Sequence, residues 1–195
     1  MNHYLEIGDM LDEEMDRAIA HMERINKKLS VIDKMITIQQ DYSSYNKPSG
    51  TIDIAEIIED ALIIQASLME SHAISIVKKI EKVPVVKGQR TKLMCAIMNL
   101  IENAKNAMDN ASEGNRVLTI STTALDSSVQ IAIHDTGHGI SEEDLPNIFQ
   151  KGVLSNKEGG GSGLYYCEGY IREMGGTIRA ESPGRGATFI VTLPC

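Results

Sequence analysis

Apolar residues in the first part of the chain recur at spacings of three and four. This spacing is typical of the seam of a coiled coil or a helix bundle. The seam positions are Ile7, Leu11, Met15, Ala18, Met22, Ile25, Leu29, Ile32 and Ile36. Because no proline interrupts the pattern, it predicts one long helix over residues 1–46 that packs on another helix, and we expect a homodimer through it. The alternative is a surface helix folded back on its own domain.

From residue 47 onward the pattern alternates between helices and strands. Residues 46–50 are a cluster of helix-breaking residues, so we place a domain boundary there and a second domain over residues 47–195. Asp53 and Glu56 form a capping box that begins a helix. A second helix is predicted over residues 91–109, and a third helix is predicted to end at Gly175 and Gly176. Strands are predicted over residues 73–80, 117–123, 129–134, 177–181 and 187–193. This order predicts an α/β fold: a two-layer sandwich with a mixed, mostly antiparallel sheet.

Composition indicates which residue types form the core and which classes of binding partner are excluded. Hydrophobic residues make up 42% of the 195 residues, but aromatic residues only 4%, so the core is aliphatic. A formal net charge of −8 argues against a nucleic-acid partner. No apolar stretch approaches the roughly 20 residues of a membrane span. The three cysteines have neither metal-ligand nor disulfide spacing, which favours a cytoplasmic location. The start in helical sequence suggests a piece of a longer protein, and whether that parent is membrane-anchored stays open.

Three amide side chains share one face of the helix predicted over residues 91–109. Asn99, Asn103 and Asn106 follow at i, i+4 and i+7, beside the apolar stripe of the same helix. Asparagine is a poor helix former, and a solvated polar face would be better served by Lys or Glu. Neutral amide oxygens suit a hard cation such as Mg²⁺ that is already carried by phosphates. This pattern favours a metal-nucleotide face over a merely solvated one.

Asp135 ends a strand in which Val129, Ile131 and Ile133 alternate inward, and Gly137 and Gly139 follow it. A carboxylate in this place can accept a hydrogen bond from an exocyclic amine, and the glycines let the backbone approach a flat ring. Taken alone, however, the pattern favours an ordinary Asp-Gly turn over a binding site.

Glycines are concentrated over residues 159–163, after Lys157 and just before a helix that starts near Ser162. Backbone N–H groups at such a helix start, together with the helix dipole, form an anion site. A flexible linker is the alternative, but within a domain a mobile phosphate lid fits better. The sequence contains no Walker motif and no dinucleotide-binding glycine motif, so neither a P-loop nor a Rossmann domain is indicated.

Taken in order, these motifs resemble the catalytic, ATP-binding domain of sensor histidine kinases, within the gyrase/Hsp90/histidine kinase/MutL ATPase superfamily. Residues 99–107 resemble its N box, residues 135–139 its first glycine box, residues 148–152 its F box, residues 159–164 its second glycine box and residues 186–189 its closing motif. The resemblance covers most of the chain and implies a Bergerat-type ATP-binding fold. The long N-terminal helix then resembles part of the dimerisation and phosphotransfer hairpin.

The resemblance implies a set of site residues and two cofactors, ATP and Mg²⁺. It places Mg²⁺ at Asn103 through the nucleotide phosphates, the adenine amino group at Asp135, and a water on the adenine side at Thr188. Asn106 stands where the family often has a basic residue, so Lys157 is a candidate substitute. The implied ATP-binding residues are Asn99, Asn103, Asn106, Asp135, Gly137, Gly139, Ile140, Lys157, Gly159, Gly161, Ser162, Gly163, Leu164 and Thr188.

The implied activity is transfer of the ATP γ-phosphoryl to a histidine of the dimerisation hairpin, with a response regulator as partner of the full-length protein. Neither His3 nor His21 lies in the family's phosphoacceptor motif, so we expect the acceptor histidine to be absent from this chain. Asn99 also replaces the glutamate that ATP-hydrolysing members carry, so efficient hydrolysis is not expected. Two alternatives remain: a serine/threonine kinase of the anti-sigma-factor type, and a non-enzymatic, nucleotide-gated interaction module.

Overall fold

A computed structural model of the chain describes residues 50–109, 115–150 and 163–195, together with Met15 and Met22. The chain divides into two units between Lys47 and Pro48, and the description below is of the second. The predicted N-terminal helix lies outside the described residues except for Met15 and Met22, which are both helical. The homodimer expected through that helix therefore stays a prediction.

The described part of the second unit alternates between strands and helices, as the sequence pattern predicts. The strands are β1 (Gly50–Ile52), β2 (Ser75–Ile80), β3 (Val86–Gly88), β4 (Val117–Leu125), β5 (Ser128–Asp135), β6 (Thr177–Glu181) and β7 (Thr188–Pro194). The helices are α1 (Ile54–Ser71), α2 (Arg90–Asp109) and α3 (Gly163–Glu173).

Five strands form the main sheet in the order β2-β4-β5-β7-β6. Strands β2 and β4 are parallel, and the other three pairs are antiparallel. This confirms the mixed, mostly antiparallel sheet. Strands β1 and β3 form a separate antiparallel pair that the sequence pattern did not predict. Each has three residues, which is too short to show an alternation, and β1 begins within the cluster that indicates a domain boundary.

The three helices form one layer, in which α2 lies between α1 and α3. The apolar stripe predicted for α2 is buried, and the core lies between this stripe and the inward residues of β4, β5 and β7. The buried members of α2 are Leu93, Ala96, Ile97, Leu100, Ile101, Ala104 and Met108. The face of α2 that carries the asparagines lies beside the buried stripe. Because α2 is the central helix, this face is bounded by α3 on one side and by β5 on the other.

Local sequence fixes two helix ends. Asp53 caps α1, since its Oδ1 accepts hydrogen bonds from Ala55 N at 2.9 Å and Glu56 N at 3.3 Å. After α3, Gly175 takes a φ of +74° and donates to Arg172 O, while Gly176 donates to Ile171 O. These bonds form a Schellman motif, which confirms the predicted end of that helix. In the part of the chain that the structure describes, no helix combines the length and the apolar character needed to cross a bilayer.

Candidate functional site

Asp135 is a buried carboxylate at the end of a central strand. The alternation of β5 turns Val129, Ile131, Ile133 and Asp135 toward the helix layer, and the first three belong to the core. Asp135 follows them inward and is only 1% exposed. An ionisable group in such a position is costly unless it is hydrogen-bonded, so its partners matter.

Backbone N–H groups hold the Asp135 carboxylate. Its Oδ1 accepts a hydrogen bond from Gly137 N at 2.8 Å. Burial raises the pKa of Asp135 above its ordinary value of 3.8, while the backbone N–H groups of Gly137 and Ala187 and the nearby His134 and His138 act in the opposite direction. A carboxylate offers about four acceptor positions, so these donors leave capacity for an N–H group of a ligand.

The glycine turn after β5 (residues 135–139) is interlocked with the turn between β6 and β7 (residues 182–187), in the sense that hydrogen bonds join the two turns. Gly186 N donates to Gly137 O at 2.9 Å, and Asp135 N donates to Ala187 O at 3.0 Å. Gly186 has a φ of +78°, and a Cβ atom at this position would overlap Asp135 O. Glycine is therefore required at Gly186 both by conformation and by space.

The same glycine turn packs against α2. A Cβ atom at Gly137 would lie 2.6 Å from the carbonyl carbon of Ala107, and His138 N donates to Ala107 O at 3.2 Å. Gly139 has a φ of +77° and faces the β6–β7 turn, where a Cβ atom would lie 2.9 Å from Gly184 O. Each of the three glycines thus fills a place where a side chain would clash.

The three asparagines of α2 have different environments. Asn103 is half-buried, and its Nδ2 atom is buried without a hydrogen-bond partner among the described residues. Asn106 is exposed, and its Oδ1 accepts from Lys105 Nζ at 3.3 Å. Asn99 is half-buried beside the first residue of α3, with its Oδ1 atom 3.6 Å from the position of a Cβ atom on Gly163.

Along α2, the amide face runs from the glycine turn that follows Asp135 to the first residue of α3. Asn99, Asn103 and Ala107 follow at i, i+4 and i+8, which is about two helical turns or roughly 12 Å. Asn99 lies at the start of α3, and Ala107 lies against the glycine turn that follows Asp135. The buried carboxylate and the N-terminal end of α3 are therefore at opposite ends of one amide-lined helix face.

Part of the predicted glycine-rich lid lies outside the described residues, namely Lys157, Gly159, Gly161 and Ser162. Gly163 and Leu164 begin α3, and Leu164 is buried. Ahead of the undescribed stretch, Ile148 is buried, and the Phe149 ring packs edge-on against Phe189 with 6.5 Å between the ring centroids. Ile140 is half-buried against the core.

Thr188 is separated from the Asp135 carboxylate by the sheet. It is paired with His134 across β5 and β7, and its Oγ1 lies 2.9 Å from His134 Nδ1. Adjacent residues of a strand point to opposite faces, so Thr188 shares the face of His134 rather than that of Asp135. The structure thus does not bring Thr188 together with the other expected base-side residues. Ala187 lies beside Asp135 instead, and it had not been expected in the site.

The donor set fits a hard cation held largely by phosphates. Within the described ranges, no group of three or more His, Cys, Asp or Glu side chains could hold a metal ion. The amide of Asn103, with its unsatisfied Nδ2, is the neutral polar group at the centre of the α2 face. A cation bound here would take most of its ligands from a nucleotide and water, as Mg²⁺ commonly does.

Comparison with known families agrees with this arrangement. Residues 88–195 match the family described as histidine kinase-, DNA gyrase B-, and HSP90-like ATPase. The matched range runs from the end of β3 through the asparagine face, the two interlocked turns and α3. It therefore includes every described element that contributes to the candidate site.

Individual relatives are sensor kinases. The chain is 28% identical over 158 residues to the C4-dicarboxylate transport sensor protein DctS of Rhodobacter capsulatus, covering 80% of this chain and 24% of that protein. It spans about a fifth of the length of other sensor kinases that it matches.

Solved structures show the same fold. The catalytic domain of histidine kinase ThkA is 22% identical, with a TM-score of 0.67 over 76% of this chain and 96% of that one. The complex of ThkA with the response regulator protein TrrA gives 21% identity and a TM-score of 0.65 over 85% of this chain and 48% of that one.

Burial of the Asp135 carboxylate affects how the stability of the folded protein depends on pH. Because burial raises the pKa of Asp135 in the folded protein, the folded state favours its protonated form. The stability that this proton contributes is complete below the ordinary pKa of 3.8 and is lost as the pH rises through the folded value. We therefore expect Asp135→Asn, which keeps the shape and the acceptor for Gly137 N–H, to unfold at a higher temperature than the parent at pH 7.

Thermal unfolding between pH 4 and pH 8 checks this expectation, and the advantage of the variant should shrink as the pH falls. Asp126→Asn, in the exposed turn between β4 and β5, is the matched control and should leave the unfolding temperature unchanged. A lower unfolding temperature for Asp135→Asn at pH 7 would mean that the N–H donors outweigh the cost of burial.

Proposed function

We propose a function in ATP binding and phosphoryl transfer for this chain, which belongs to the family of histidine kinase-, DNA gyrase B- and HSP90-like ATPases. The observation that carries the proposal is the buried Asp135 carboxylate, placed between two interlocked glycine turns at one end of the amide-lined face of α2. A buried acceptor of this kind selects a ligand that carries a hydrogen-bond donor. The remainder of the α2 face leads to the start of α3, where we propose an anion site.

In the proposed complex the adenine lies at Asp135. The exocyclic amino group of adenine donates a hydrogen bond to the carboxylate, which is an acceptor when ionised. A carbonyl oxygen at the same position of the ring, as in guanine, would face the carboxylate without a proton between them. Gly137 and Gly139 present backbone without side chains, so a flat ring can approach the turn closely.

The phosphates lie in this proposal at the start of α3. That helix has 11 residues and carries no acidic side chain in its first turn, so its N–H groups and dipole favour an anion. Gly163 has no side chain toward Asn99, which keeps the end of the amide face accessible. Lys157, Gly159, Gly161 and Ser162, which precede α3 in the sequence, are proposed to complete this phosphate end.

Asn103 is the residue that we propose to hold Mg²⁺ together with the nucleotide phosphates. Its amide can offer the oxygen to the ion and the nitrogen, which lacks a partner among the described residues, to a phosphate oxygen. When bound, the ion neutralises charge on the phosphates. The protein contributes the position of the amide, because the neighbouring Leu100 and Ala104 of the same helix are buried in the core.

We propose that the complete protein is a sensor histidine kinase. An imidazole nitrogen of the dimerisation hairpin forms a bond to the γ-phosphorus, the bond from that phosphorus to the bridging oxygen breaks, and ADP leaves with the electron pair. This chain would contribute by binding and orienting ATP rather than by a covalent intermediate. A response regulator is the proposed downstream partner, by analogy with the ThkA complex. The sensor-kinase relatives favour this reading over the anti-sigma-factor kinase and the non-enzymatic module.

The metal assignment gives a direct prediction. Asn103→Ala should keep the fold, because alanine is the better helix former, but should abolish the dependence of ATP affinity on Mg²⁺. Isothermal titration of ATP with and without Mg²⁺ measures this dependence. Thr91→Ala, at the exposed start of the same helix, is the control and should respond to Mg²⁺ as the parent does. An Asn103→Ala variant that also responds like the parent would move the metal site elsewhere.

The phosphotransfer proposal is tested with γ-labelled ATP and Mg²⁺. The chain alone should bind ATP without labelling itself, because neither His3 nor His21 has an adjacent Asp or Glu in the sequence that would orient an imidazole and accept its proton. A separately supplied hairpin from a sensor kinase should acquire acid-labile, base-stable label, and the same hairpin with its acceptor histidine changed to glutamine should not.

Two outcomes would contradict this account. Acid-labile label on His21 would identify the N-terminal segment as the acceptor helix. Acid-stable label on a serine or threonine of a partner protein would instead favour the anti-sigma-factor type of kinase.

A further inference from the structure

We propose that Ser182 is a positioning residue for adenine recognition, acting through the Asp135 carboxylate rather than on the nucleotide itself. The inference rests on the proposed function, because it assigns a role within the same site. Ser182 directly follows β6 and is half-buried at the start of the turn that leads to β7. A serine in a turn is ordinary by sequence, so its contacts carry the argument.

The Ser182 hydroxyl joins the two glycine turns. Its Oγ accepts a hydrogen bond from Ile140 N at 2.9 Å and donates one to Gly186 O at 2.8 Å. These directions are unambiguous, since a backbone N–H can only donate and a carbonyl oxygen can only accept. One hydroxyl therefore satisfies two backbone groups from segments that lie more than 40 residues apart.

Both bonded groups belong to the interlock around the carboxylate. Ile140 directly follows Gly139, whose φ of +77° turns the chain toward the β6–β7 turn. Gly186 offers its carbonyl to Ser182 and its N–H to Gly137 O. Ser182 thus supplies a side-chain bond between two turns that are otherwise joined, in the bonds described above, through backbone atoms.

A continuous path of hydrogen bonds leads from Ser182 to the carboxylate. Gly186 fixes the carbonyl of Gly137, and Gly137 N donates to Asp135 Oδ1 at 2.8 Å. The Gly186 backbone also lies against the carbonyl of Asp135 itself. A shift of Gly186 would therefore change both the backbone and the side-chain orientation of Asp135.

Loss of the hydroxyl removes this support at two points. In Ser182→Ala, Ile140 N–H and the carbonyl of the buried Gly186 both lose their partner, and unsatisfied buried groups favour a rearrangement that restores bonding. Relaxation of the turn would move the carboxylate that receives the adenine amino group. The phosphate end, next to Asn99 and Gly163, is not joined to Ser182 by any of these bonds.

The test compares ATP with purine riboside triphosphate, which lacks the amino group, by calorimetric titration of the full chain with Mg²⁺. We expect Ser182→Ala to weaken ATP binding about fivefold to twentyfold, as the loss of one well-placed hydrogen bond would, and to leave binding of the analogue unchanged. Ser127→Ala, a serine in the exposed turn at the opposite end of β5, should alter neither affinity.

A double-mutant cycle separates positioning from a general structural role. If Ser182 acts through Asp135, the double variant Ser182→Ala, Asp135→Asn should bind ATP no more weakly than Asp135→Asn alone. Amide exchange adds an independent readout, since Ile140 N–H should exchange faster in Ser182→Ala. Should that variant not fold, Ser182→Cys keeps the size with a weaker donor and carries the same comparison with a smaller loss.

Equal weakening of both nucleotides, additive losses in the cycle, or an unchanged ATP affinity in Ser182→Ala would each overturn the inference. These outcomes differ from a failure of the proposed function, which would appear as absence of ATP binding in the unmodified chain and would remove the inference with it.

Discussion

The site depends on how closely two backbone segments approach each other, at Gly186 and Asp135. A side chain at Gly186 would overlap the Asp135 carbonyl, and a side chain at Gly137 would clash with Ala107 of α2. Because these contacts join the end of β5, the β6–β7 turn and the central helix, they fix the carboxylate relative to the asparagine face. The rest of the fold contributes to the same positions. The alternation of β5 turns Asp135 toward the helix layer, and α2 runs from the glycine turn to the start of α3.

This placement has an energetic cost. Burial raises the pKa of Asp135, so the ionised carboxylate opposes folding even though backbone N–H groups compensate in part. A protein under selection for stability alone would gain from a neutral residue at this position, whereas a buried acceptor offers selective recognition of a donor group. Asn103 shows the same pattern, since one of its buried polar atoms has no partner among the described residues. Unsatisfied polar groups of this kind are expected where a ligand completes the structure.

Sequence patterns were sufficient for the elements with clear periodicity. The stripe of α2, the alternation of β5 and the glycine end of α3 all appear where predicted, because each is decided by local spacing. The short pair β1–β3 was missed, since three residues show no period. Thr188 and Ser182 could not be placed from the sequence, because their surroundings depend on contacts between segments that are distant along the chain. Which face Thr188 occupies depends on its register with His134, and the role of Ser182 depends on Ile140 and Gly186, which are distant or unremarkable in sequence.

The proposed function depends on recognition of the adenine amino group by Asp135. The most direct test measures the affinity of the unmodified chain for ATP and for inosine triphosphate, in which a carbonyl oxygen replaces that amino group. A carboxylate facing this oxygen loses its hydrogen bond and meets another acceptor, so we predict at least about tenfold weaker binding of inosine triphosphate. Equal affinities for the two nucleotides would contradict the account and would place the base elsewhere.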